Sequence, residues 1–156
     1  MFTLHGYGPS IFEGTLLTLE VSIASLFVAI LLGAAGAMAK LSRSLVLSSL
    51  AKTYTTIIRG IPDLVLMLLV FFGGQVLINK VAPLVGYDQY IDINPFIAGV
   101  STIGFIFGAY MTETFRGAIL AVNRGQLEAG YAYGMSGGQV FVRILLPQMV
   151  RHAIPG

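Results

Sequence analysis

The sequence predicts an all-α integral membrane protein, with three transmembrane helices followed by a cytoplasmic helix–turn–helix, in one transmembrane domain over residues 1–156. Three observations carry this. The chain is 56% hydrophobic and only 10% charged, whereas a soluble domain has about 25% charged residues. Its apolar residues fall in long runs and not in short alternations. Its basic residues are shared unequally among the segments that join those runs.

The first run, residues 14–39, contains Glu20 as its one charge. As a helix it rises about 39 Å at about 1.5 Å per residue, and about 20 residues suffice to cross a bilayer core, so it crosses with tilt. The triplet Ala37-Met38-Ala39 has the small-x-small form of a signal cleavage site. However, residues 1–13 contain no Lys or Arg, and the run is longer than a signal's apolar region, so it reads as a retained span. The second run, residues 54–78, carries Arg59, Pro62 and Asp63 near its start, and its apolar part is 64–78. The third, residues 96–115, is short, with Glu113 and Arg116 at its far end. Residues 41–52 mix Ser, Leu and basic side chains and read as an interfacial or cytoplasmic helix.

Charge sets the orientation. Lys40, Arg43, Lys52 and Arg59 follow the first run with no acid among them, which makes that segment cytoplasmic. Lys80 in the next segment is outweighed by Asp88 and Asp92, which suits the outside. Beyond the third run, Arg116, Arg124, Arg143 and Arg151 outnumber Glu113 and Glu128, so the C-terminal segment is inside and the N-terminus outside. Gly33, Gly36 and Ala37 in the first span, with Gly104 and Gly108 in the third, provide small surfaces on which membrane helices approach closely.

Several function classes are excluded. The chain has no cysteine, so it can build neither a disulfide framework nor a thiolate metal site, and His5 and His152 lie far apart. Neither a metal site nor a bound cofactor is expected. No H-E-x-x-H or G-x-S-x-G arrangement is present, which argues against a membrane enzyme. A net charge of +2 is too small for a nucleic-acid footprint, so the expected surroundings are membrane lipid and other proteins. A small channel or assembly subunit that packs by its glycine faces remains a competing class, and an ATPase pull-down separates it from a transporter subunit.

Ionisable groups inside spans cost about 2.5–3.5 kcal/mol each on insertion scales and are candidates for a pathway or a partner. Asp63 is the first such candidate. It follows Pro62, whose ring removes a backbone donor, so freed backbone and a carboxylate can face a polar cavity and suit a cationic side chain or an α-ammonium. The alternative is that Asp63 only neutralises Arg59 four residues earlier, although an acid C-terminal to its base is the weaker order. Glu20 is the second candidate, and Arg59 and Glu113 complete the expected pathway set; alternatively Glu20 only reaches the outer interface and Glu113 only pairs with Arg116 at the cytoplasmic edge.

Residues 124–147 differ from all that precedes them. Glu128-Ala129-Gly130 begins a helical pattern that Gly134 can end in a left-handed conformation. Ser136 and Gln139 have the S-x-x-Q form of a capping box, from which a second helix carries Val140, Phe141, Ile144 and Leu145 toward Pro147. Such an exposed, rigid element suits docking into a groove on another protein, with an ordinary loop between spans as the alternative.

The residues Glu128-Ala129-Gly130, Gly134 and Ile144-Leu145-Leu146-Pro147 match, in every spacing, the EAA motif of ABC importer permeases, E-A-A-x3-G-x9-I-x-L-P. The one departure is Gly130, where the motif has alanine. Arg59-Gly60-Ile61-Pro62, the run 64–73, and Thr112-Glu113-Thr114-Phe115-Arg116-Gly117 within 109–117 resemble the polar-amino-acid branch of that superfamily, and the likeness covers essentially the whole chain. The resemblance implies the N-terminal part of a five-span permease fold in the bacterial inner membrane. It implies import of polar, cationic amino acids such as histidine, lysine, arginine and ornithine. It also implies an ATPase-coupling role for Glu128, Ala129, Gly130, Gly134, Ile144, Leu146 and Pro147. The implied partners are a separate ATP-binding cassette subunit, a second homologous permease subunit and a periplasmic amino acid binding protein. The chain contains no G-x-x-x-x-G-K-[ST] loop, so ATP is expected to bind a partner. Permeases of this type continue through two further spans that help line the pathway, whereas this sequence stops at Ile154-Pro155-Gly156, which reads as a truncated product, with an inactive permease fragment as the alternative to a transporting subunit.

Overall fold

The computed structural model describes residues 7–155. His5, the rest of the N-terminal stretch assigned to the outside, and Gly156 lie outside the described residues.

Helix α1 (Gly8–Leu41) has a proline in its first turn, where the missing N–H costs nothing, and ends where Ser42 turns extended. Its buried residues, Ser25, Ala29, Gly33 and Ala37, recur every four positions and so form one narrow stripe of small side chains. Helix α4 (Pro95–Ala121) opposes it with Gly104, Gly108 and Thr112, all buried. The fit is close. A methyl group added at Gly33 would stand 2.4 Å from Met111 Cβ, and at Gly104 2.6 Å from Val28 Cγ1. Small-residue seams of this kind let membrane helices pack where lipid offers no hydrophobic drive between them.

Helix α2 (Leu45–Arg59) starts at Ser44, whose hydroxyl accepts from the Leu47 N–H, and helix α3 (Asp63–Val81) follows a break at Gly60-Ile61-Pro62. The run 54–78, expected as one helix, is therefore two. Proline disfavours a helical conformation in the residue before it and cannot donate a hydrogen bond, so the chain leaves the helix at Gly60 and restarts after an extended Pro62 (φ −56°, ψ 131°). The other two helices outrun the expected 14–39 and 96–115, because helix persists beyond the apolar residues where caps and packing permit. The segment expected as an interfacial or cytoplasmic helix becomes α2, which packs on both α1 and α4.

Three helical stretches, Gly8–Leu41, Asp63–Val85 and Pro95–Ala121, are long and apolar enough to cross a membrane. Leu64, Leu69 and Phe72 on α3 and Ile23 and Phe27 on α1 are exposed, which suits a face turned to lipid. Past a short 3-10 turn (Ala82–Val85) and a left-handed Gly86 (φ 84°), the connection to α4 is held by α3 itself. Gln75 Nε2 donates to the Ile91 carbonyl (2.6 Å), and its Oε1 accepts from the Ile93 N–H (3.1 Å). Asn79 exchanges two bonds with Ile91, each 2.8 Å. Two amide side chains thereby satisfy backbone groups of a loop that has no secondary structure of its own.

Candidate functional site: an exposed helix–turn–helix and a carboxylate at a helix break

Helix α5 (Arg124–Ala132) begins at Asn123, whose side chain accepts from the Gly125 N–H. Its end is a paired closure: the Met135 N–H bonds to the Gly130 carbonyl (3.1 Å) and the Gly134 N–H to the Tyr131 carbonyl (2.9 Å). Gly134 has φ 80°, a conformation that closes the turn and that a side chain makes costly. Ser136 then caps the next helix with a complete capping box, its hydroxyl accepting from the Gln139 N–H while the Gln139 carboxamide accepts from the Ser136 N–H.

That second helix is not uniform. Helix α6 (Gly137–Val140) passes into a π turn (Phe141–Leu145) and then into α7 (Leu146–Ala153). Pro147 supplies the cause, since it has no N–H for the carbonyl four residues back and its ring crowds that turn. The helix widens by one residue and continues through Pro147 to Ala153, although the sequence directed it only toward Pro147.

Gly130 is buried, and a methyl group there would lie 2.7 Å from Ile144 Cδ1 and 3.1 Å from Val140 Cγ2. The glycine that departs from the motif therefore seats the second helix close against the first. Gln148 Nε2 donates to Gln126 Oε1 (2.5 Å) and ties the outer ends of the two helices. Glu128, Ala129 and Pro147 face outward, Ile144 and Leu146 are half-buried, and α7 packs on α4, which joins the element to the spans. A shallow groove between the two helices is lined by Gln126, Ala129, Tyr133, Met135, Arg143 and Ile144.

The four charged candidates separate. Asp63 is the first residue of α3, half-buried, and its Oδ1 accepts from the Tyr110 hydroxyl at 2.9 Å. Arg59 stands with its guanidinium carbon 5.5 Å from the centre of the Tyr110 ring. Among the described residues Arg59 and Asp63 form no ion pair; Tyr110 takes both, one on its hydroxyl and one on its ring. Glu113 is bound by Lys40 at the end of α1 and by Arg116 Nε (3.1 Å), a set that clamps α1 to α4. Glu20 is exposed on α1, without a side-chain hydrogen bond or ion pair among the described residues.

Sequence reasoning missed Tyr110, Lys40 and the Gln75–Asn79 clamp. Tyr110 lies in an apolar run three residues before Glu113, and a hydroxyl at that depth needing a partner was the available signal. The Lys40–Glu113 pair spans 73 positions, and no local pattern marks it.

A bundle of membrane-length helices ending in an exposed helix–turn–helix that is packed onto one span has the form of a multi-pass membrane transport component. Comparison with known proteins makes this specific: residues 16–156 match the family described as the binding-protein-dependent transport system inner membrane component, and the chain belongs to that family. It is thus an inner-membrane transport component and not an enzyme. It is 51% identical over 153 residues to the histidine/lysine/arginine/ornithine transport system permease protein HisQ of Salmonella typhimurium, covering 98% of this chain and 67% of that one. It is 42% identical over 155 residues to the octopine transport system permease protein OccQ of Rhizobium meliloti, covering 99% and 65%. A crystal structure of an amino acid ABC transporter with histidines superposes with a TM-score of 0.74 at 28% identity, covering 98% of this chain and 66% of that one. The chain thus spans about two thirds of the length of these relatives. The family match favours a transport subunit over the small channel or assembly subunit that composition alone left open.

Proposed function

We propose that this chain is the permease subunit of an ATP-driven importer of polar, cationic amino acids, the histidine, lysine, arginine and ornithine class. The observation that carries the reading is the helix–turn–helix of residues 124–147: an EAA-type sequence folded around a left-handed Gly134 and a closed capping box, exposed on one side and packed on α4 through α7. An element that is rigid and joined to a span can pass a push from a docked partner into the membrane. Glu128, Ala129, Gly130, Gly134, Ile144, Leu146 and Pro147 form the docking element for a separate ATP-binding cassette subunit on the cytoplasmic side. A second homologous permease subunit and a periplasmic amino acid binding protein complete the assembly. Relatives named for histidine, lysine, arginine, ornithine and octopine transport support this cargo class.

Asp63 is the pathway carboxylate for the cargo's cation. Arg59 does not pair with it directly, and a single hydroxyl donor leaves its carboxyl oxygens able to accept a second donor. Glu113, already held by Lys40 and Arg116, serves the helix clamp, and Glu20 acts as an outer-face carboxylate. In the assembled importer, Asp63→Asn lowers arginine or lysine uptake more than uptake of a neutral amino acid, with the complex intact. Equal loss for every amino acid would make Asp63 structural and remove the cargo assignment.

A further inference from the structure

Between the end of α2 and the start of α3, three side chains from three elements meet: Arg59, Asp63 and, from α4, Tyr110. The hydroxyl of Tyr110 donates to Asp63 Oδ1 at 2.9 Å, which fixes the ring beside the carboxylate, and the guanidinium carbon of Arg59 lies 5.5 Å from the ring centre. That distance is within the roughly 6 Å over which a ring face attracts a cation. The ring is held from behind, since Tyr110 packs against the buried cluster of Ile58, Leu66, Ile106 and Ala109. A carboxylate and an aromatic face set side by side can hold a guanidinium or ammonium group, as the Arg59 guanidinium over the ring illustrates.

Resting on the reading of Asp63 as the cargo carboxylate, we propose that Tyr110 is a specificity-determining residue: its ring is a cation–π platform on which the cationic group of the cargo stacks beside Asp63, in competition with the chain's own Arg59. Arg59 is suited to this because it is the last residue of α2, its side chain is exposed, and the break at Gly60-Ile61-Pro62 follows it directly. It can leave the ring without disturbing a helix interior. The carboxylate attracts any cation, whereas the ring rewards a weakly hydrated one, so arginine gains more from Tyr110 than lysine does.

The test uses the assembled importer in proteoliposomes, with labelled arginine, lysine and glutamine as cargo and co-purification of the subunits as the check on assembly. Tyr110→Phe keeps the ring and removes the hydroxyl, and retains most of the preference for arginine over glutamine. Tyr110→Leu removes the ring and lowers that preference by about 5- to 30-fold, the range a desolvated cation–π contact supports, with lysine affected less than arginine. Tyr110→Met, closer in volume, gives the same loss if the leucine variant does not assemble. Arg59→Gln removes the competitor and lowers the KM for arginine. The platform is overturned if Phe and Leu variants lose preference equally, if the Leu and Met variants keep the arginine preference, or if Arg59→Gln raises the KM for arginine. Failure of the underlying assignment is read separately, from an Asp63→Asn variant whose preference for cations is unchanged.

Discussion

Replacing Gly36 by alanine places a methyl carbon 2.2 Å from Thr112 Oγ1, 2.9 Å from its Cγ2 and 3.1 Å from its Cβ. Thr112 cannot give way freely: it is fully buried and its hydroxyl donates to the Gly108 carbonyl at 2.8 Å. Either the threonine rotates and loses that bond, or α1 and α4 move apart along their whole seam. Overpacking costs about 1–3 kcal/mol, and a hydrogen bond within a membrane about 0.6 and at most about 1.7 kcal/mol. Together Gly36→Ala is expected to destabilise the fold by about 2–4 kcal/mol. The partner change gives the control. Thr112→Ala removes the two nearest atoms and leaves a contact at 3.1 Å, so the double variant should recover about 1–2 kcal/mol relative to additivity. Gly117→Ala, with nothing within 4 Å of the added carbon, should be neutral or slightly stabilising. Unfolding free energies in mixed micelles provide the readout. A Gly36→Ala protein as stable as its parent, or additive behaviour of the Gly36→Ala and Thr112→Ala pair, would refute the seam as the element that holds α1 on α4.

Three other expectations concern the helix–turn–helix and the orientation of the chain. Gly134→Val forces a β-branched residue to φ 80°, at a cost above the roughly 1–2 kcal/mol of an ordinary left-handed residue; ATPase co-purification should fall at normal membrane abundance, with Gly134→Asn milder, and full association of the valine variant would withdraw the docking role. Gly130→Ala meets the far end of the Ile144 side chain at 2.7 Å, which can turn aside, and Val140 Cγ2 at 3.1 Å, which must give by a few tenths of an ångström, so it should weaken ATPase association slightly, while Gly130→Leu should abolish it. A cysteine at Ser48 or Gln126 should resist an impermeant thiol reagent in intact cells while one at Gln89 reacts; labelling at Ser48 from outside would reverse the orientation.

The parts legible in the sequence were those fixed by neighbours along the chain. Apolar runs marked the spans because a bilayer tests each run by itself. Gly134 and the Ser136–Gln139 box were readable because caps involve residues three or four apart, and the structure gives both their full geometry. The break at Gly60-Ile61-Pro62 was signalled by Pro62 yet submerged in a hydropathy average, since the residues on both sides are apolar enough to extend the run. The π turn before Pro147 has the same local cause, a missing N–H, but a proline in a sequence does not say whether the helix ends there or widens and continues. What could not be read is long-range. Tyr110 meets Asp63 across 47 positions, Lys40 meets Glu113 across 73, and Tyr54 reaches the Phe105 carbonyl across 51. Each follows from how α1, α2 and α3 cross α4, which no periodicity encodes. The effect on the candidate site was specific: the sequence offered Arg59 as the partner of Asp63, whereas the crossing of α4 inserts Tyr110 between them.

The most direct test of the transport reading is uptake of labelled arginine into proteoliposomes that contain the importer assembled around this subunit, with ATP supplied on the side of the helix–turn–helix. Arginine should accumulate only when ATP and the binding protein are both present, and unlabelled histidine, lysine or ornithine should compete while a neutral amino acid competes poorly. Accumulation without ATP, or equal competition by neutral amino acids, would contradict it.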